Sequence, residues 1–183
     1  MKETSVNTFI ALLRGINVGG NNRLPMKELT TLLEELGYQS IQTYIQSGNV
    51  IFQSRKKQTV KMVKEISARI GETQGFEPHI LLLEKGDLQS AIDHNPFPVN
   101  DGKALHFFFL DSVPRKPDLE KLQALQVKSE RFHLQDKVFY LHAPDGIGRS
   151  KLAAKVESCL GVPVTARNWN TVSKLDSMIQ ESH

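Results

Sequence analysis

Cysteine is almost absent. Cys159 is the single one in 183 residues, so no disulfide can form within the chain. A chain of this length can bury roughly two thirds of its unfolded surface and needs neither bridge nor structural metal to fold. The pattern fits a reducing compartment. Long hydrophobic runs are missing too. No apolar stretch reaches the ~18 residues of a membrane span, and the opening MKETSVNTF lacks the apolar core of a signal peptide. These absences predict a soluble, cytoplasmic protein with no membrane partner. Charge of one sign is scarce, since 23 Lys and Arg against 20 Asp and Glu leave a net +3. Nucleic-acid binders commonly gather more than this on one face, whereas a small anion needs only a few well-placed cations.

Catalytic signatures are lacking as well. His79, His94, His106, His133, His142 and His183 show no metal-ligand spacing, and there is neither HExxH nor a Cys/His pairing. No metal and no cofactor is expected. Ser47 stands in Ile-Gln-Ser-Gly-Asn rather than in GxSxG. Cys159 falls on the apolar face of its predicted helix, with no activating cation beside it. Asp93 and His94 are neighbours in sequence, a placement that rarely points two side chains together. The sequence names no catalytic residue, and whether the protein is an enzyme stays open.

What is present starts with periodicity. Strand-like runs occupy 8–13, 41–45, 49–53, 79–84, 104–110, 131–135, 138–142 and 162–166. Met26, Leu29, Leu32, Leu33 and Leu36 recur at helical spacing between Pro25 and Gly37. Val60, Val63, Ile66 and Ile70 repeat the pattern up to Gly71. A short helix is expected over 87–93 with Asp87 as its cap. Further helices are marked by Leu119, Leu122 and Leu125 after Asp118, by Leu152, Val156, Cys159 and Leu160 before Gly161, and by Val172, Leu175, Met178 and Ile179. Residues 8–84 and 104–166 thus read alike, as strand, helix, strand, strand, helix, strand. The expected fold is α+β: two ferredoxin-like β-α-β-β-α-β halves packed together, plus a C-terminal helix. The expected boundaries are 1–85, a linker with a short helix over 86–103, and 104–183.

In such a half the first and third strands are antiparallel neighbours, so the end of one lies beside the start of the other. This predicts that Arg14-Gly15 and the loop up to Pro25 meet the turn Gln46-Ser47-Gly48-Asn49. In the second half, GIGRSK at 146–151 and ARNWN at 166–170 should leave the sheet at a common end. Glycine lets a ligand approach backbone, and arginine supplies a forked donor set that matches phosphate or carboxylate. Neither loop is a P-loop, because the GK[ST] ending is missing, and GINVGG is not GxGxxG. The candidate ligand-binding residues are Arg14, Gly15, Asn17, Gly19, Gly20, Ser47, Asn49, Gly148, Arg149, Ser150, Lys151, Arg167, Asn168 and Asn170. The competing reading of each loop is purely conformational. Glycine and asparagine serve turns with positive φ, and the Ser-Gly-Asn stretch is a hairpin connection before it is anything else.

Taken together, IALLRGINVGGNNRLPM, TYIQSGNVIF, HNPF, YLHAPDGIGRSKL and TARNWNTVSKL resemble the bacterial domain-of-unknown-function family 1697. The matches run from residue 10 to residue 175. The resemblance implies a small, cytosolic α+β protein. It brings no activity and no catalytic residues, but implies that the Arg14 loop, the Ser47–Asn49 turn, Arg149–Lys151 and Arg167–Thr171 belong to the family's signature.

Three functions are expected in order. The first is binding of an anionic, phosphate-bearing small molecule through the Gly/Asn/Arg loops. The second is nucleic-acid binding by the same basic loops, although the strands lack the Gly-aromatic signature of RNA-stacking sheets. The third is an enzyme of unspecified reaction. Trp169, flanked by Arg167, Asn168 and Asn170, is either a stacking platform or a half-buried anchor.

Overall fold

The computed structural model describes residues 5–57 and 59–182. The readings of His183 and of the first four residues of MKETSVNTF lie outside the described residues. In chain order the elements are β1 (Asn7–Arg14), α1 (Met26–Glu35), β2 (Gln39–Tyr44), β3 (Asn49–Ser54), α2 (Thr59–Gln74), β4 (His79–Glu84), α3 (Lys85–Asp93), β5 (Leu105–Leu110), α4 (Leu119–Leu125), β6 (Arg131–Gln135) and β7 (Val138–His142). Two 3-10 turns follow at Ile147–Arg149 and Ala153–Lys155, then α5 (Val156–Leu160), β8 (Val164–Asn168) and α6 (Trp169–Glu181). The strands form two antiparallel four-stranded sheets, ordered β2-β3-β1-β4 and β6-β7-β5-β8. Both are ferredoxin-like halves, as the order of patterns predicts. Among the described residues no helix is long and apolar enough to cross a membrane.

In the first sheet β1 sits centrally, paired with β3 and β4. Phe9, Ala11 and Leu13 project to one face, where Leu29, Leu33, Met62, Ile66 and Ile70 of α1 and α2 cover them. Ile10 and Leu12, on the opposite face, are just as buried. Burial on both faces is why this strand reads as a continuous apolar run rather than an alternation. β5 behaves the same way, with all six residues buried. Phe108 and Leu110 join Phe139, Leu141, Leu122 and Val156. Phe107, Phe109 and Tyr140 lie buried on the other face. Burial pushes the Tyr140 phenol up to about 12, and its hydroxyl donates to the carbonyl oxygen of Ala91 at 2.6 Å.

The compact units are Met1–Gln89 with Leu175–His183, and Ser90–Lys174. The end of α6 therefore counts with the first unit, whereas the sequence places the whole helix with the second half. Within that first unit Gln42 Nε2 donates to Ser182 Oγ at 2.8 Å.

Three local expectations differ from the structure. Leu152 to Leu160 is not one helix. Buried Ser150 accepts the Ala153 amide at 3.0 Å and starts a 3-10 turn, and α5 begins only at Val156. Gly161, with φ 70°, then ends it as expected. The eighth strand starts at Val164 rather than Val162, because Pro163 has no N–H to give a ladder, although its carbonyl accepts from Asp111 at 3.1 Å. Asp87 is inside α3 rather than at its cap, and its carboxylate reaches back to the Glu84 amide at 2.8 Å. That is the returning arm of a capping box.

Candidate functional site

The Arg14 loop and the hairpin turn meet as expected. Leu12 pairs with Asn49, and the Leu13 amide donates to the Gly48 carbonyl at 2.8 Å. Arg14, exposed, stands across from His79 at the edge of the ladder. Ile16 and Leu24 plug into the core and anchor the loop from beneath. Asn17 does the rest. Its Nδ2 donates to the carbonyls of Leu24 at 2.9 Å and Gln46 at 2.7 Å, while its Oδ1 accepts the Leu24 amide at 2.8 Å. One side chain thus ties the loop to its own exit and to the neighbouring turn.

The glycine pair has its own explanation. Val18 and Asn21 form a bridge, with the Asn21 amide donating to Val18 at 3.0 Å, and the Asn17 amide donates to Asn22 at 3.1 Å. Gly19 and Gly20 between them have φ 59° and 79°. Two central residues of positive φ are the mark of the tight turn that suits a two-residue hairpin. Residues 17–22 are a miniature hairpin, and the amides of Asn17 and Asn21 are occupied within it. Gly15, Gly19 and Gly20 nonetheless border open space. Asn49, fully buried, donates to Ser47 Oγ at 3.0 Å and to the Tyr44 carbonyl at 3.1 Å. Gly48 is bare for packing reasons, since a Cβ there would lie 2.7 Å from Leu13 Cβ and 2.9 Å from Ile16 Cδ1.

The second half gathers its candidates at one end. Leu105 pairs with His142, and His106 with Asn168. The ends of β7 and β8 therefore both flank the start of β5, and the segments starting at 143 and 169 leave the sheet on that side. Arg149 and Lys151 are exposed, Ser150 is buried in its turn, and Gly148 borders open space. Asn168 Oδ1 accepts the Thr171 amide at 3.0 Å and caps the 13-residue α6. Arg167 shares the face of its cross-strand neighbour Phe107. Burial pushes its guanidinium down to about 10, and its Nη1 donates to the Ala166 carbonyl at 2.9 Å. Trp169 packs against Phe107 with ring centroids 5.9 Å apart, a half-buried anchor. Asn170 is exposed.

The profile described as "Protein of unknown function (DUF1697)" matches residues 6–140. The chain belongs to this family. A solved structure, "The structure of conserved bacterial protein SP0830 from Streptococcus pneumoniae", is similar to this DUF1697 chain with TM-score 0.67 and 25% identity. The likeness covers 95% of this chain and 99% of that one. No curated protein is significantly similar.

Two features escape the sequence motifs. His106 is buried with its Nε2 lacking a hydrogen-bond partner, as does Thr165 Oγ1. Burial holds the His106 imidazole below its ordinary value, against a backbone hydrogen bond at Lys103. Strand parity puts these two atoms on opposite faces of the sheet, so they do not converge on one ligand. Among the described residues no group of three or more His, Cys, Asp or Glu is placed to hold a metal ion. The second feature is a run of cations from Arg55 to Lys64, whose only sequence signal is its density of charge.

Proposed function

We propose that the protein binds an anionic, phosphate-bearing small molecule at the basic end of the second sheet. The observation that carries this reading is the shared end of the second sheet. Arg149 and Lys151, on the segment after β7, and Arg167, next to the last residue of β8, stand at the same end of the sheet as the start of α6. A helix start favours an anion through its partial positive charge. A guanidinium held out of water gains more from an anion than one in bulk solvent. Open backbone at Gly148 permits close approach. In the first half Arg14 is a separate candidate, an exposed cation beside a loop that its own hydrogen bonds have already shaped. A preformed loop has little ordering entropy left to lose on binding.

Thermal unfolding in inorganic phosphate, pyrophosphate and a nucleoside triphosphate is the test, followed by calorimetric titration of whichever stabilises. The midpoint of the wild-type protein should rise with at least one of these ligands. Arg149→Ala and Arg167→Ala should each weaken binding at least about tenfold, the loss of one charged hydrogen bond. If Arg14→Ala, Arg149→Ala and Arg167→Ala all kept wild-type affinity, the reading would be wrong.

A further inference from the structure

The charge of this protein is not spread evenly. Residues 55–65, RKKQTVKMVKE, carry five cations and one carboxylate, a net +4 in eleven residues, while the whole chain carries +3. The remaining 172 residues are therefore net negative. This stretch runs from the end of β3 into the first turns of α2.

Its cations differ in what they do. Lys56 Nζ contacts Glu65 at 2.8 Å and lies 5.0 Å from the centre of the Tyr38 ring. That pairing neutralises the one carboxylate and, through Lys56 first, holds it below the ordinary carboxylate range. Lys57, Lys61 and Lys64 are exposed. Among the described residues none of the three is held in an ion pair. They line one shallow groove of about 520 Å³ with Thr59 and Val60. An adjoining groove of about 450 Å³ is lined by Lys56, Lys57, Lys61, Met62 and Glu65. Lys61 and Lys64, three residues apart in α2, share one side of the helix, and Lys57 reaches the same groove from the connection before it. Lys61 and Lys64 are neighbours on the helix surface, with roughly 5 to 6 Å between Cβ atoms, so the two present adjacent charges.

We infer that this lysine ridge is a docking surface for the phosphate backbone of a nucleic acid, distinct from the small-molecule site proposed above. A row of ammonium groups suits a row of phosphates, because each is a compact charge that accepts any orientation. A single small phosphate would be better served by forked arginines, and none lines either groove. An anionic membrane is the other polyanion of this reach, but stable adsorption adds an apolar face to the charge. Here the apolar face of α2, Met62, Ile66 and Ile70, is spent in the core, and Val60 is the single large apolar side chain exposed on the ridge. No aromatic lines either groove, so binding is by backbone and carries weak sequence preference.

The test is fluorescence anisotropy of a labelled oligonucleotide of about 20 residues, read between about 50 and 200 mM salt. Wild-type protein should bind at the lower salt and lose affinity steeply at the higher. The variant Lys57→Gln/Lys61→Gln/Lys64→Gln should bind less well and lower the slope of log affinity against log salt by about 2 to 3, a little under one per phosphate contact. These side chains are exposed, and an unchanged circular dichroism spectrum and thermal midpoint would confirm that the variant folds. Arg14→Ala and Arg149→Ala should leave oligonucleotide binding intact. No binding by the wild type at low salt would overturn the inference. So would an unchanged slope in the triple variant, or loss of binding in Arg149→Ala alone. Binding to phosphatidylserine vesicles without binding to oligonucleotide would overturn it in favour of a membrane.

Discussion

The connection from β3 to α2 and the connection from β7 to α5 hold the same place in the two halves and are built differently. The first is short. It carries Arg55, Lys56 and Lys57 ahead of the 16-residue α2. The second runs through Gly146, Gly148, Arg149 and Lys151, and the helix behind it dissolves into 3-10 turns and a five-residue α5. Both are basic. Topology decides where the chain emerges at the end of the third strand of each half. Local sequence decides whether the cations ride on a regular helix as a row of lysines or on an open glycine turn with an arginine. The glycine-rich connection of the first half sits at the other crossover, between β1 and α1, where the glycines close a miniature hairpin. Glycine-rich loops in the two halves are thus neither topological nor chemical equivalents.

The cores give the strongest way to probe how far the halves match. Phe52 packs on Phe9 with centroids 5.8 Å apart, and Phe139 packs on Phe108 at the same 5.8 Å. Phe52→Ala and Phe139→Ala should each cost about 3 to 5 kcal/mol in denaturant unfolding. A cost near 1 kcal/mol for either would show that its core is looser than its counterpart.

Two glycines separate packing from openness. Gly48 has φ 87° and no room for a Cβ, while Gly148 has open space around it. Gly48→Ala should destabilise by about 3 kcal/mol through overpacking and backbone strain together. Gly148→Ala should stay within about 0.5 kcal/mol. Equal effects would erase the distinction between the two loops.

The smallest effect is a difference in pH response. In the second half burial lowers the His106 pKa. Its stabilising contribution is complete above the unfolded value of about 6.5 and is lost as pH falls from there through the folded value. In the first half the Glu65 pKa is lowered chiefly by Lys56. That contribution is present above the unfolded value of about 4.3 and is lost only at lower pH. The midpoint of His106→Gln should therefore fall less than that of the wild type between about pH 6.5 and 5. Glu65→Gln should track the wild type over that interval. A wild-type midpoint that did not fall there would remove the role of His106.

Much of this was readable before any coordinates. The apolar runs of β1 and β5, the 3.6-residue spacing of Leu29, Leu32 and Leu33, and the doubled strand and helix order carry the fold, because buried faces leave periodic marks. The start of α4 after Asp118 is legible for the same local reason, and the structure adds that the Asp118 carboxylate accepts the Lys121 amide at 3.0 Å. The commitments of Asn17 were not. Its partner at Gln46 is 29 residues away, and no spacing rule reports a hydrogen bond that tertiary pairing creates. The same holds for Gly48, whose glycine is demanded by Leu13 and Ile16 across a ladder. The breakdown of the helix after Lys151 escaped because Ser150 reads as an ordinary polar residue until it is seen buried. The lysine ridge was in plain view as composition. Composition alone does not mark it as a site, because lysines on a helix are the usual coat of a solvated face.

The return of residues 175–182 to the first unit bears on how the protein is made. A ribosome delivers the first unit's strands and its helices α1 and α2 early, yet that unit lacks its last segment until all of the second has been synthesised. The second unit, by contrast, is one uninterrupted stretch of chain. The half that begins first is the half that finishes last, so a nascent chain halted before Leu175 carries a complete second unit and an incomplete first.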